Sequence, residues 1–214
     1  HCGAPCECGE FIFRSDRVSR GADIEGRALN VLLRAAAQAL DVLRAANIDA
    51  CVIGGVAVAR WGEPRLTADV DLVAMGAVID DIKAVDALLR VFSPRSQGAR
   101  EFALAHRVLL LRDAQGIPLD ISLGALEFER GMVMRASEWR VENCPGVLTC
   151  CAEDLVVTKA FAGRDRDWAD IAGVITRQGD GLDRTEIFER LTPLAEFAER
   201  LESLSRLQLL FESR

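Results

Sequence analysis

Three aspartates are the residues of this sequence whose type and spacing best suit chemistry. Asp69 and Asp71 lie two positions apart within residues 68–74, a run that predicts a strand, so both carboxylates should project from one face. Asp120 lies in another predicted strand, between Leu119 and Ile121. Carboxylate oxygens are the ligands that magnesium prefers. We therefore predict that the three aspartates bind Mg²⁺, as two ions, with Mn²⁺ able to substitute.

Two glycines precede the aspartates. Gly54 and Gly55 follow a short apolar run, residues 50–53, and precede a short predicted helix from Val56 to Trp61. Backbone N–H groups at the start of a helix attract phosphate, and glycine leaves room for its close approach. The pair alone indicates only a turn, and its place before the aspartates favours a phosphate-binding turn.

Arg65 and Thr67 precede the first aspartate, and they either shape the turn before the strand or contact a phosphate. Both interpretations stay open at the level of the sequence.

A third cluster follows in the C-terminal half. Lys159, Gly163, Asp167 and Asp170 are separated by four, four and three residues, so on one continuous helix they would share a face. Gly163 would otherwise break that helix. A helical lysine is more often a solvated cation, so a functional role for Lys159 depends on the residues around it.

The order of these residues resembles the signature of polymerase β-like nucleotidyltransferases. Gly54-Gly55 is followed after thirteen residues by Asp69-Val70-Asp71-Leu72, and a third aspartate follows on a later strand. Three blocks are also similar to the AbiE-type toxin nucleotidyltransferases, over about residues 50 to 175. These blocks are Ile53 to Ala57, Arg65 to Asp69 and Glu153 to Ile171.

The resemblance implies an α+β, polymerase β-like fold in which helices flank a mixed sheet. It also implies that Gly54 and Gly55 contact a nucleoside triphosphate, and that Asp120 acts as a third metal ligand or as a base. Lys159 would contact a phosphate or help to activate the acceptor. Many members carry serine where this chain has Gly55, so a hydroxyl contact to the terminal phosphates would be missing.

The implied activity is transfer of a nucleoside monophosphate to an acceptor, either a tRNA end or a partner protein, with release of pyrophosphate. The resemblance further implies the toxin of a toxin–antitoxin or phage-defence system, with a cognate antitoxin as a partner. The alternative is a catalytically silent nucleotide sensor or an antitoxin-like binding protein on the same fold. Retention of the three aspartates and Lys159 argues against that alternative.

Hydrophobic periodicity and turn residues predict the elements that must position these side chains. An N-terminal tail, residues 1–22, precedes a nucleotidyltransferase core at 23–125 and a mainly helical lobe at 126–214. The predicted helices cover residues 23–43, 56–61, 79–92, 152–163, 166–177 and 185–212. The predicted strands cover 50–53, 68–74, 101–112, 119–123, 132–135 and 147–150, with 101–112 and 119–123 forming a hairpin or a close antiparallel pair.

Composition narrows the classes of function. The chain has 214 residues and a formal net charge of −7, which provides no general attraction for nucleic acid. Its apolar runs fall far short of the roughly 20 residues that span a bilayer, so we expect no membrane association. The N-terminus lacks the pattern of a signal peptide, and we expect the protein in the cytoplasm.

The remaining candidates have structural interpretations. Seven cysteines indicate reduced thiols rather than a disulfide framework. Cys2, Cys6 and Cys8 with His1 have the residue types of a zinc site but match no standard spacing. Trp61 and Trp168 are expected to pack in the core rather than to stack on a base, and His106 is expected to be structural.

Overall fold

The computed structural model describes residues 20–76 and 78–213. Seven strands form one mixed sheet in the order β3-β4-β5-β2-β1-β7-β6. The strands are β1 (Asp49–Ile53), β2 (Val70–Met75), β3 (Ser93–Pro94), β4 (Val108–Arg112), β5 (Pro118–Gly124), β6 (Ser137–Trp139) and β7 (Val147–Thr149). The predicted α+β class is confirmed.

Helices flank this sheet on both faces. They are α1 (Arg20–Ala45), α2 (Gly54–Trp61), α3 (Val78–Leu89), α4 (Ala99–His106), α5 (Glu127–Met134), α6 (Ala152–Ala162), α7 (Asp165–Gln178), α8 (Arg184–Phe197) and α9 (Glu202–Glu212). A single 3₁₀ turn, Gly179–Gly181, joins α7 to α8. None of the helices in the described ranges is both long and apolar enough to cross a membrane.

Two hydrophobic cores form because strand residues alternate between the faces of the sheet. On one face, Val52, Leu72 and Ile121 are fully buried together with residues of α1, α3 and α4. On the other face, Cys51 and Val73 pack with α2 and the C-terminal helices. Asp71 and Asp120 lie on the strands that these two cores hold from either side, and Asp69 lies just before β2.

The pairing of the strands determines where the predicted site residues lie relative to one another. β1 pairs antiparallel with β2, while β2 and β5 are parallel neighbours in which Asp71 lies directly opposite Asp120. β5 is in turn paired antiparallel with β4, so the predicted hairpin is confirmed. In its turn, one Asp113 oxygen accepts the backbone N–H groups of Gln115 and Ile117 at 2.9 and 2.8 Å.

Two segments predicted as strand are helical. Residues 101–106 belong to α4, and only Val108–Arg112 is strand, because Arg107 adopts a left-handed conformation (φ 58°) that ends the helix. Residues 132–134 form the end of α5 rather than a strand. There Met132 is fully buried against the second core, so packing of a helical face decides the conformation.

The predicted helix 185–212 is two helices. α8 ends at Phe197 and α9 begins at Glu202, and Glu199 between them has φ 54°. β3 and β6 were not predicted. The proposed boundary between core and lobe at residue 125 stays a prediction, and β6 and β7, which follow it in the chain, extend the sheet beside β1.

Candidate active site

Asp71 is the central carboxylate of the site. Its neighbours Val70 and Leu72 are fully buried on the opposite face of β2, which directs Asp71 to the same face as Asp120. Burial, followed by the charges of Asp69 and Asp120, raises the pKa of Asp71 from its ordinary 3.8 to about 6. Asp69 and Asp120 are therefore each close enough to Asp71 for their charges to disfavour its ionisation.

Asp69 lies one residue before β2 rather than within it. The Thr67 hydroxyl donates to the Asp69 carboxylate at 2.8 Å, which fixes its orientation. This hydrogen bond agrees with the prediction that Thr67 shapes the turn before the strand. Its contact with a phosphate remains a prediction.

The two glycines of the turn pack directly against this group of side chains. Gly54 has φ +62°, and a Cβ atom on it would lie 1.9 Å from the Asp71 carboxylate oxygen Oδ2. A Cβ on Gly55 would lie 2.4 Å from Thr67 Oγ1. The backbone N–H of Gly55 donates to Asp71 and lowers its pKa, partly opposing the burial. The turn is glycine because Asp71 and Thr67 occupy the space of its side chains.

This packing leaves no free space for a serine side chain at position 55. A serine side chain would enter the volume that the Thr67 hydroxyl and Cβ already fill. The hydroxyl beside the turn is therefore that of Thr67.

Lys159 is buried and paired with two carboxylates. Its Nζ lies 2.8 Å from Asp167 Oδ1 and 2.7 Å from Asp170 Oδ2, and its side chain is only 9% exposed. The Lys159 charge also lowers the pKa of Asp71, so it acts on the carboxylate site. An interpretation of Lys159 as a solvated surface cation is wrong.

The cluster around Lys159 spans two helices. α6 ends at Ala162, and Gly163 adopts φ 68° before α7 begins, so the alternative in which Gly163 breaks the helix is the one observed. Asp167 and Asp170 nevertheless reach Lys159, because the turn returns α7 alongside α6. Their convergence is a tertiary contact.

Arg65 joins this cluster to the segment before β2. Its Nε and Nη2 donate to the two oxygens of Asp170 at 2.6 and 2.9 Å. Burial alone would raise the pKa of Asp170, but hydrogen bonds from Arg65 and Lys159 outweigh it and hold that pKa below its ordinary value. Contact of Arg65 with a phosphate stays a prediction.

Arg95 is a residue that the sequence did not suggest. It follows β3 in a segment that resembles an ordinary loop, and its Nη1 donates to Asp120 Oδ1. Its backbone N–H donates to Leu110 O on β4 at 3.0 Å, which holds this position beside the sheet. Only the strand order brings residue 95 to residue 120, so no local pattern could have revealed it.

The donor set fits magnesium bound together with a nucleotide. Within residues 20–76 and 78–213 no group of three His, Cys, Asp or Glu side chains is arranged to hold a metal ion by itself. Magnesium commonly takes only one or two carboxylates, and phosphates and water complete its shell. Asp69 and Asp71 supply hard oxygen donors, and the mutual repulsion of the carboxylates leaves negative charge for a cation to offset.

The other candidates have structural contacts. Trp61 Nε1 donates to Cys150 O at 2.8 Å, and Trp168 Nε1 donates to Gly163 O at 3.0 Å, which agrees with a packing role. His106 stacks on Phe102 with ring centroids 4.4 Å apart. The four cysteines at positions 51, 144, 150 and 151 are free thiols. His1, Cys2, Cys6 and Cys8 lie outside the described residues.

No protein-family model matches the chain, and no curated protein matches it in sequence. Among solved structures, an antigenic nucleotidyltransferase-like protein from Paracoccidioides brasiliensis is 22% identical, covering 85% of this chain and 93% of that chain with a TM-score of 0.47. The antibiotic-resistance factor ANT(2'')-Ia is 16% identical over 87% of this chain and 98% of that chain, with a TM-score of 0.48.

JHP933 from Helicobacter pylori is 12% identical over 90% of this chain and 83% of that chain, with a TM-score of 0.38. At these identities and TM-scores the likeness has no bearing on activity.

Proposed function

We propose that the protein is a magnesium-dependent nucleotidyltransferase that transfers a nucleoside monophosphate from a nucleoside triphosphate to an acceptor. The observation that carries the proposal is the pairing of Asp71 and Asp120 on adjacent parallel strands, with the glycine turn packed against Asp71. The proposed metal ligand Asp71 and the N-terminus of α2 are thus adjacent.

The glycine turn would receive the triphosphate. Gly54 and Gly55 begin α2, whose first backbone N–H groups lack partners within the helix and attract anions. The Gly55 N–H already donates to Asp71, so the other N–H groups of this turn would bind the phosphates. Phosphate would approach these N–H groups from the N-terminal end of α2, because Asp71 and Thr67 fill the volume of the missing side chains.

The carboxylates would hold the metal and orient the acceptor. Asp69 and Asp71 are the proposed ligands, and a bound Mg²⁺ would offset phosphate charge and favour ionisation of the attacking hydroxyl. Asp120 lies on the far side of Asp71 from the turn. In this proposal it would accept a proton from an acceptor hydroxyl.

Lys159 would contact a phosphate near Asp71, although Asp167 and Asp170 already offset its charge. Asp167 and Asp170 hold its ammonium group in one position, so little side-chain freedom is lost when substrate binds. Arg65 in turn holds Asp170.

The test is labelling of tRNA and candidate partner proteins with each of the four α-labelled nucleoside triphosphates in the presence of Mg²⁺. We expect label in one acceptor class, no label with Asp71→Asn, and an unchanged circular dichroism spectrum for that variant. Equal labelling by both proteins would contradict the mechanism.

The acceptor class, the toxin role and a cognate antitoxin rest on the resemblance to AbiE-type toxins described above. The alternative, a silent nucleotide-binding protein, draws support from the Arg95 contact that occupies Asp120. Calorimetry separates the two proposals, since a silent protein would bind nucleotide with Mg²⁺ but produce no pyrophosphate.

A further inference from the structure

One face of β4 and β5 is only partly covered beside Asp120. Along β4 and β5 the residues alternate, and Leu109, Leu111, Leu119 and Ile121 are fully buried in the first core. The residues between them are half-buried or exposed within the described structure. This surface, called the β4–β5 face below, comprises Val108, Leu110, Arg112, Pro118, Asp120 and Ser122.

The functional groups follow one another across the sheet. The glycine turn ends β1, Asp71 lies on β2, Asp120 on β5, and Arg95 lies beside β4 after β3. A triphosphate on the glycine turn would therefore leave the β4–β5 face for the second substrate. Arg95 borders that face on the side away from the turn.

The ion pair between Arg95 and Asp120 is weak enough for another anion to replace Asp120. It uses Nη1 alone, and the two side chains are 30% and 32% exposed. By contrast, Arg65 holds Asp170 through two nitrogens, and that carboxylate is 4% exposed. Exposed ion pairs contribute only about 0–1 kcal/mol, so a competing anion can take the guanidinium.

A second arginine lies on the same border. Arg112 is paired with Ser93 across β3 and β4, is exposed, and donates through Nη1 to Gly116 O at 2.9 Å. Two guanidinium groups thus flank a partly apolar surface made by Val108 and Leu110. Guanidinium groups bind phosphate through paired hydrogen bonds, whereas the overall charge of −7 repels it.

We propose that Arg95 positions a polynucleotide acceptor on the β4–β5 face by exchanging its contact with Asp120 for a phosphate of the acceptor strand. The exchange also frees Asp120 beside the acceptor hydroxyl. This inference rests on the proposed nucleotidyltransferase function and specifies the class of its second substrate.

The experiment uses the full chain and two separate binding measurements. Calorimetry measures the affinity for each nucleoside triphosphate with Mg²⁺. Fluorescence anisotropy measures the affinity for a labelled 12-nucleotide single-stranded RNA with a free 3′-hydroxyl at several KCl concentrations. Arg95→Ala is compared with Arg100→Ala, a control arginine that pairs with Asp86 on α3 and is also partly exposed.

We expect Arg95→Ala to weaken RNA binding about five- to tenfold and to reduce the salt dependence by about one phosphate contact. Nucleotide affinity should fall much less than RNA affinity, because Arg95 contacts Asp120 on the side of the site away from the glycine turn. Arg100→Ala should change neither measurement. Asp120→Asn should have the opposite sign and tighten RNA binding without metal, because it releases Arg95.

Equal RNA affinity for wild type and Arg95→Ala would overturn the inference, as would loss of nucleotide affinity in Arg95→Ala. A wild-type protein that binds nucleotide but not RNA would also overturn it and indicate a protein acceptor, leaving the proposed function intact. A wild-type protein that binds no nucleotide would overturn both proposals.

Discussion

At the scale of single residues, the site depends on positions without side chains as much as on attractive contacts. Gly54 and Gly55 lack side chains where Asp71 and Thr67 already fill the space. The sequence predicted the phosphate role of these glycines from their place before a helix. It could not predict their steric role, because Thr67 is brought against Gly55 only by the fold.

This packing leads to a reciprocal test. We expect Gly55→Ala to destabilise the protein by about 2–4 kcal/mol, since its Cβ would overlap both Oγ1 and Cβ of Thr67. Thr67→Gly alone should cost about 1–2 kcal/mol through its lost hydrogen bond to Asp69 and added chain entropy. In the double variant the alanine at position 55 should reduce stability only slightly, because the Thr67 side chain no longer fills the space and alanine favours the helical conformation.

Urea unfolding of the four proteins measures this coupling as a double-mutant cycle. Additive effects of the two substitutions would show that the overlap is relieved elsewhere.

At the scale of elements, prediction succeeded where periodicity and breakers agreed. The α1, β2 and β4–β5 segments were identified because apolar spacing and turn residues there predict the same type of element. It failed at residues 101–107, where a short apolar run suits either a strand or a helix. The carboxylate pair was predicted from local alternation, whereas Arg95 and the two partners of Lys159 depend on strand order and helix packing.

Arg107 is the residue that decides the α4–β4 junction. Its Nε and Nη2 donate to the carbonyls of Leu123 and Gly124, both at 2.8 Å, and Nη1 donates to Asp81 at 3.0 Å. These contacts tie the junction to β5 and α3, and they offset the cost of a left-handed backbone.

Substitution of Arg107 can separate the two effects. Arg107→Gly loses the three hydrogen bonds but adopts φ 58° without strain, whereas Arg107→Ala loses the bonds and retains the strain. We expect both variants to be less stable than wild type, and alanine to be less stable than glycine by about 1 kcal/mol. Thermal unfolding provides the comparison, and an alanine variant as stable as the glycine variant would contradict this explanation of the junction.

At the scale of the whole molecule, the site reduces stability. Asp71 has a pKa raised from 3.8 to about 6, so its charged form is less favourable in the folded protein than in the unfolded chain. Below pH 3.8 the group is protonated in both states and costs nothing. The cost develops as pH rises toward 6 and is complete above it.

We therefore expect Asp71→Asn to raise the free energy of unfolding by about 1–3 kcal/mol above pH 6, and to bring no gain near pH 3.8. Chemical unfolding at pH 4, 5, 6 and 7.5 tests the sign and the window. Mg²⁺ with a nucleotide should stabilise wild type but not the variant. A variant gain that is independent of pH would point to packing instead of charge.

The position of β7 in the sheet also affects how the chain folds during synthesis. Val52 on β1 pairs with Thr149 on β7. One edge of β1 therefore stays unpaired until β7, about a hundred residues later in the chain, has left the ribosome. Until then, an unpaired and largely apolar edge is available to other chains. Fragments that end before residue 147 should therefore aggregate during translation, and the yield of native protein should depend on completing this late strand.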